Sequence, residues 1–416
     1  MANLHNIQLR TGCFCNPGAC QRHLGLTDQQ LLDNYEAGHV CGDTVDLLNG
    51  KPTGSVRISF GYMSTKKDAD TLLSMIESCF VDRNAEAVSR KEVLKEDVLS
   101  SNGQECISQP SNMINGNSHE SNSVEKFPKS IISHIFLYPI KSCAAFQVKR
   151  WPLGPRGLLY DRQWMIVNSA GIGITQKKET RLCMIQPFID IKNEKFHISY
   201  PGMPEIIIPL NVDDGNINTE TDSHQSKVCG DKVRVIDCGD LIANWLTAAF
   251  HDTNLGKLRL YCQSFNDDRK FRPRSKNKEK RGKEISLSNQ AQFLLINSAS
   301  IRWLSEQVGV EREGPSCKES DLRDRFRANF VVECPQAFLE KEWNQIKIGK
   351  IAFQSEGPCT RCQMICIDQK TGNKTKEPLS TITRLFNGKS EFGIYLSRVY
   401  SEFKQEVSVG DEVEGN

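Results

Sequence analysis

The chain has 416 residues, a length that suits two or three domains with sizeable cores. Its 53 basic and 51 acidic residues leave a formal charge of +2, which gives no ground for a nucleic-acid or membrane partner. No apolar run approaches the roughly 20 residues of a bilayer crossing. The start, Met1-Ala2-Asn3-Leu4-His5-Asn6, carries neither a basic leader nor a hydrophobic segment. The expected location is therefore the cytoplasm, with the 16 cysteines held as reduced thiols.

Residues 8–80 are expected to be α/β. Thr27 and Gln30 have capping-box spacing, and Leu31, Leu32 and Tyr35 follow at helical spacing before Gly38. Lys51-Pro52-Thr53-Gly54 predicts a turn into a strand over 55–60, with Val56, Ile58 and Phe60 on one face and Arg57 on the other. Leu72, Met75, Ile76, Cys79 and Phe80 mark a further helix. Residues 81–130 are rich in Ser, Asn, Glu and Lys and carry too little apolar content to offset chain entropy, which predicts a disordered linker.

From Ile131 short β-like runs dominate, over 131–140, 163–167, 293–296, 326–332 and 346–353, and 365–368 reads as more strand. Helices are expected over 239–250, 301–307 and 378–387. Polar insertions fall at 213–226 and 265–287, and the basic run Arg269-Lys270-Phe271-Arg272-Pro273-Arg274-Ser275-Lys276 is expected as a solvated loop. The fold class is α+β: an α/β piece over 1–80, the linker over 81–130, then a mostly β half with a barrel-like core, divided into 131–255 and 256–416.

Two regions carry residues suited to chemistry. In Arg10-Thr11-Gly12-Cys13-Phe14-Cys15-Asn16-Pro17-Gly18-Ala19-Cys20, Cys15 sits where a Gly- and Pro-punctuated loop would leave a thiol mobile and nucleophilic. A zinc site of Cys13, Cys15, Cys20 and His23 is the alternative, although the spacing is unfamiliar for four ligands. Arg57 is either an exposed strand arginine or a bidentate clamp for a carboxylate.

In the second half, Tyr138-Pro139-Ile140-Lys141-Ser142-Cys143 ends a strand beside a cation and a hydroxyl, and Asp161-Arg162-Gln163-Trp164 opens another strand. At strand periodicity Arg325, Arg327 and Asn329 share a face, as an oxyanion or phosphate cradle or as surface salt bridges. The run Gly357-Pro358-Cys359-Thr360-Arg361-Cys362-Gln363-Met364-Ile365-Cys366-Ile367-Asp368 contains a Cys-x-x-Cys. Zinc would need a second pair, and Cys334 and Cys317 lack motif spacing. A thioredoxin pair would open a helix. A single soft thiolate on molybdenum is an economical alternative.

The first region resembles the catalytic-cysteine loop of cysteine desulfurases, and in its detail that of eukaryotic molybdenum cofactor sulfurases. The resemblance implies that residues 1–80 end a pyridoxal-phosphate transferase domain, that Cys15 carries a persulfide, and that Arg57 holds the carboxylate of substrate L-cysteine. In that family pyridoxal phosphate sits on a lysine well upstream of the loop. Residues 1–10 contain no lysine, so this chain is not expected to bind pyridoxal phosphate and would take up sulfur from outside.

The second half is similar to the two-part MOSC region of those sulfurases and of the mitochondrial amidoxime-reducing proteins. By that likeness Lys141, Ser142 and Arg162 contact the pterin phosphate of molybdenum cofactor (Mo-molybdopterin), and Arg327 and Asn329 contact the cofactor too. Cys362 binds molybdenum, with Cys359 as the alternative. The implied activity is transfer of persulfide sulfur to the cofactor, which activates xanthine dehydrogenase and aldehyde oxidase. The rival expectations are a non-catalytic cofactor carrier, an amidoxime-reductase-like oxidoreductase and a cysteine-rich zinc-binding module.

Overall fold

An asparagine followed by proline begins the first helix, Pro17–Leu24, which hydrophobic spacing alone does not reveal. The Asn16 side chain accepts the Ala19 N–H at 3.2 Å, and Pro17 loses nothing at a position whose N–H has no helical partner. The helix stops at Gly25 (φ 62), where the Leu26 N–H returns to the Gln21 carbonyl at 3.0 Å. The structure is a computed structural model. It describes residues 7–13, 16–36, 39, 47–48, 51–80, 129–210, 223–228, 231–271, 283–288, 290–309, 318–386, 388–399 and 405–416. The chain forms two units, Met1–Ser108 and Gln109–Asn416.

In the first unit the predicted capping box is formed. The Thr27 N–H donates to Gln30 Oε1 at 3.0 Å and the Gln30 N–H to Thr27 Oγ1 at 3.3 Å, opening the helix Asp28–Glu36. The expected stop, Gly38, lies outside the described residues. The predicted strand over 55–60 is shorter, Ser55–Arg57, because its antiparallel partner is only Arg10–Gly12. Val56, Ile58 and Phe60 are all exposed. The helix Lys66–Phe80 opens with the Thr65 N–H on Asp68 Oδ2 at 2.7 Å and buries Leu72 and Met75. The predicted linker over 81–130 lies outside the described residues except Lys129 and Ser130, and Ser130 already belongs to a strand.

The core of the second unit is a closed seven-stranded barrel, and the fold is mixed α+β. Its strands in chain order are β1 (Ser130–Leu137), β2 (Phe293–Asn297), β3 (Phe330–Glu333), β4 (Gln345–Ile348), β5 (Ile351–Thr360), β6 (Glu391–Arg398) and β7 (Glu412–Gly415). They pair in the order β3-β2-β6-β5-β4-β7-β1, and β1 pairs again with β3 to close the ring. Only β2 and β3 are parallel. Alternate residues fill the interior, as barrel geometry requires: Ile132, Leu295, Val332, Ile348, Leu396 and Val413 share one buried cluster. At its centre Phe293 stacks on Phe330 with centroids 5.2 Å apart, and Phe353 meets Phe293 edge-on at 5.4 Å. Truncating any of these rings should cost about 3–5 kcal/mol.

The run expected as a single strand over 346–353 is two strands, because Gly349 at φ 56 turns the chain between Ile348 and Ile351. Gly393 is required in β6. It has φ 74, and a Cβ there would lie 2.6 Å from the Leu295 carbonyl oxygen.

Two larger sheets are built from the chain between β1 and β2: Gln186–Asp190, Lys195–Ser199 and Ile206–Pro209 in one, and Ser223–Val228, Asp231–Asp237, Leu258–Gln263 and Trp164–Asn168 in the other. The helix Asp240–Ala249 buries Ile242, Trp245 and Leu246. Three helices belong to the barrel half: α1 (Ser298–Gly309), α2 (Glu319–Phe326) and α3 (Leu379–Leu385). Among the described residues no helix is long and apolar enough to cross a membrane.

Three local expectations are corrected. Residues 326–332 are not one strand: Phe326 ends α2, Arg327 caps it at φ 54, and β3 starts only at Phe330. Residues 365–368 do not extend a strand, since Gln363–Cys366 is a 3₁₀ turn. Arg269 is not solvated. Its guanidinium is buried and donates to the Ser286 and Ser288 carbonyls at 2.6 and 2.7 Å, so it serves as an internal anchor for the strand pair Lys270–Phe271 and Lys283–Glu284.

Candidate functional site

Asp161 organises one wall of a cleft beside the barrel. Its Oδ1 accepts the Tyr138 N–H at 2.8 Å, and its Oδ2 accepts Asn329 Nδ2 at 3.1 Å and a short contact from Arg162 Nη1. Arg162 also donates to Asn329 Oδ1 and to the Arg327 carbonyl, each at 2.9 Å. Both the Arg162 and Arg327 guanidinium carbons lie 4.3 Å from the Tyr138 ring centroid. Burial pushes the Tyr138 hydroxyl up to about 12, which keeps that ring neutral at physiological pH.

Arg327 is the unusual member. It is 9% exposed, and burial pushes its guanidinium below the usual value. Its Nη1 donates to the Cys143 carbonyl at 2.7 Å and to Gln369 Oε1 at 3.2 Å, and among the described residues it makes no ion pair. A buried cation with only neutral acceptors lacks the countercharge that normally offsets its desolvation. Its direction is set by the left-handed cap of α2. Arg325 in the last helical turn, Arg327 at the cap and Asn329 beyond it reach one cleft through a chain reversal rather than through strand alternation.

The Cys-x-x-Cys lines the same cleft. Gly357 (φ 92) and two register shifts, between Ser355 and Pro358 and between Pro358 and Thr360, kink β5 against β6. The bulged end leaves Cys359 buried and Cys362 exposed. Arg361 Nη1 donates to Cys359 Sγ at 2.8 Å, and its Nη2 to the Phe326 carbonyl at 2.6 Å. Cys366 points elsewhere, its Sγ on the Lys376 carbonyl at 3.1 Å, and burial pushes its thiol up to about 11. Among the described residues no three His, Cys, Asp or Glu side chains gather into a metal-holding group.

Lys141, Ser142, Arg162, Arg327, Asn329 and Cys362, singled out separately in the sequence, all line this one cleft of about 350 Å³. Lys141 Nζ donates to the Leu287 carbonyl at 2.7 Å, and Ser142 is held at φ 69 with its carbonyl on Gln176 Nε2 at 2.8 Å. Asn329 uses all four of its side-chain hydrogen-bonding positions inside the protein. Arg57 belongs to the other unit, where it pairs in register with Arg10, and Cys15 lies outside the described residues.

Sequence reading missed Lys177 and Arg361, both of which line the cleft. With Lys141, Arg162, Arg325 and Arg327 they make six cations among the described residues of the lining, which include no carboxylate. The signal for Arg361 was its place between the two cysteines.

Residues 129–253 match the MOSC N-terminal beta barrel domain family and residues 282–414 the MOSC domain family. The chain carries both MOSC domains. It is also homologous to molybdenum cofactor sulfurases. It is 45% identical over 409 residues to "Molybdenum cofactor sulfurase" of Bombyx mori, covering 96% of this chain and 48% of that protein. The figures for "Molybdenum cofactor sulfurase 3" of Aedes aegypti are 45% over 404 residues, with 96% and 48% covered. For "Molybdenum cofactor sulfurase" of Homo sapiens they are 38% over 469 residues, with 99% and 51% covered. The chain thus spans about half the length of the curated relatives it matches. The cleft draws Lys141, Ser142 and Arg162 from the MOSC N-terminal match, and Arg325, Arg327, Asn329, Cys359 and Cys362 from the MOSC match.

Proposed function

We propose that the cleft takes up molybdenum cofactor as its substrate and that the chain serves sulfuration of the cofactor's molybdenum. The buried Arg327, left without a carboxylate, carries this reading: the phosphate of the pterin would supply the missing countercharge. Lys141, Ser142 and Arg162 would bind the same phosphate. Asn329 would act by holding Arg162 in place. Cys362, exposed and lining the cleft, would face molybdenum, with the buried Cys359 as the alternative. The names of these three relatives all refer to this cofactor, which supports the assignment.

The rest of the reading extends to the longer relatives. Residues 1–80 would end a desulfurase-like domain, followed by a linker over 81–130 and the two MOSC parts over 131–255 and 256–416. Cys15 would carry a persulfide whose sulfur comes from L-cysteine through pyridoxal phosphate bound elsewhere in the longer protein, and Arg57 would hold the carboxylate of that cysteine. The sulfur would replace an oxygen on molybdenum in the cytoplasm, and the product would activate xanthine dehydrogenase and aldehyde oxidase.

Titrating the purified chain with cofactor released from a donor molybdoenzyme tests the central step. Saturable binding that weakens with salt is expected. Arg327→Ala should cost about 2 kcal/mol or more, about thirtyfold in affinity. Equal affinity of that variant and the parent chain would remove the basis of the assignment.

A further inference from the structure

Persulfide sulfur cannot become a sulfido ligand without reduction. The outer sulfur of a persulfide is at the level of elemental sulfur, and sulfide lies a two-electron couple below it. The source of those electrons is therefore part of the chemistry that the cleft must support.

Cys359 and Cys362 are free thiols that both line the cleft, in opposite surroundings. Cys362 is exposed and caps the 3₁₀ turn that follows the strand. Cys359 is 3% exposed, with a charged N–H donor 2.8 Å from its sulfur. That donor is fixed, because Arg361 also holds the Phe326 carbonyl and lies 5.1 Å from the Phe326 ring centroid. Cys366, the third thiol of the motif, is bonded to a backbone carbonyl and does not line the cleft.

We propose that Cys359 and Cys362 form a persulfide-reducing dithiol that releases hydrosulfide inside the cleft. The idea deepens the sulfuration reading and rests on it for the fate of the hydrosulfide. Cys362, as the accessible thiol, attacks the outer sulfur of an incoming persulfide. The carrier's S–S bond breaks, the carrier leaves as a thiol, and Cys362 becomes the persulfide.

Cys359 then attacks Cys362 Sγ. The bond from Cys362 Sγ to the outer sulfur breaks, hydrosulfide leaves, and a Cys359–Cys362 disulfide remains. Two thiols have been oxidised and one sulfur reduced, and the thiol protons end on the carrier and on hydrogen sulfide. Exchange of hydrosulfide for an oxo ligand releases water, and a dithiol reductant of the thioredoxin class restores the pair. Arg361 is a positioning residue that holds Cys359 Sγ on the wall. The cationic lining retains the hydrosulfide anion.

The test mixes the full chain with glutathione persulfide, without added reductant or cofactor. It follows hydrosulfide release and maps the cysteine peptides after alkylation. Subtracting the signal of the Cys359→Ser/Cys362→Ser double variant removes the background of the remaining cysteines. Expected are a burst of hydrosulfide stoichiometric with the chain and a Cys359–Cys362 disulfide. Cys359→Ser should lose the burst and retain the extra sulfur on Cys362, whereas Cys362→Ser should lose both.

Arg361→Lys, which keeps the charge, should slow the burst while sulfur uptake by Cys362 stays fast. Cys366→Ser should match the parent. Circular dichroism of each variant separates unfolding from lost chemistry, and Arg361→Lys keeps the idea testable if Cys359→Ser does not fold. A full burst from Cys359→Ser, or a disulfide to Cys366 instead, overturns the proposal. Cofactor binding without a burst defeats this inference alone, whereas a burst without cofactor binding defeats the sulfuration reading.

Discussion

Replacing Asn329 with alanine should destabilise the second unit by about 3 kcal/mol, although the change removes only three heavy atoms. The side chain is 1% exposed, and its amide meets four partners. Its Oδ1 accepts from Arg162 Nη1 at 2.9 Å and from the Leu294 N–H at 3.2 Å, and its Nδ2 donates to the Phe136 carbonyl and to Asp161 Oδ2, each at 3.1 Å. Alanine leaves the buried Leu294 N–H without this acceptor and the Phe136 carbonyl short of a donor. Each buried group stripped of a partner costs about 1–3 kcal/mol. Arg162 and Asp161 still hold each other, so the ion pair adds little to the loss.

Chemical denaturation followed by tryptophan fluorescence reads the effect, since Trp164 is buried in this unit. Asn329→Asp should be worse than alanine at neutral pH, because it sets a second carboxylate against Asp161, and the gap should narrow as pH falls. Cofactor affinity should fall in both variants without any direct contact from residue 329, since Arg162 loses an anchor. A stability change below about 0.5 kcal/mol for Asn329→Ala would refute the reasoning, because that is the range of surface substitutions.

Burial raises the Glu340 carboxyl above its ordinary 4.5, although Asn297 and Ser300 donate to it. The folded state therefore holds the proton more tightly, and stability present below pH 4.5 is lost as pH rises through the folded value. Glu340→Gln should accordingly raise the melting temperature at pH 7 and have no such effect below pH 4.5, as scanning calorimetry across pH would show. His134 behaves in the opposite sense: burial and then Arg323 push its imidazole down, so its contribution is full above pH 6.5 and is lost as pH falls below it. His134→Gln should flatten the stability profile on the acid side. Gly393→Ala should prevent the barrel from closing or cost more than about 4 kcal/mol, seen as loss of soluble folded protein, because its Cβ would meet the Leu295 carbonyl oxygen at 2.6 Å.

What the sequence disclosed depended on how local the signal was. The Thr27–Gln30 box is a contact between near neighbours, and residue type alone identifies it. The alternation of Ile346 and Ile348 fixed a barrel strand, but the turn at Gly349 divided the longer run. At the cleft, strand periodicity groups Arg325, Arg327 and Asn329 on one face, but they converge through a helix cap instead. The helix was hidden because only Leu322 and Phe326 of Glu319–Phe326 are apolar, which leaves almost no stripe to read. Arg361 escaped because its direction depends on two β-bulges, and a register shift leaves no trace in composition. The helix at Pro17 was missed because the segment reads as a loop; its signal is Asn16-Pro17, a capping pair that matters more than apolar spacing in so short an element.

The most direct measurement is the metal and pterin content of the chain purified from a host that makes molybdenum cofactor. The account predicts molybdenum and pterin in equal amounts, close to stoichiometric with the protein, and lost from a folded Arg327→Ala variant. Zinc alone, or molybdenum retained undiminished by that variant, would contradict it.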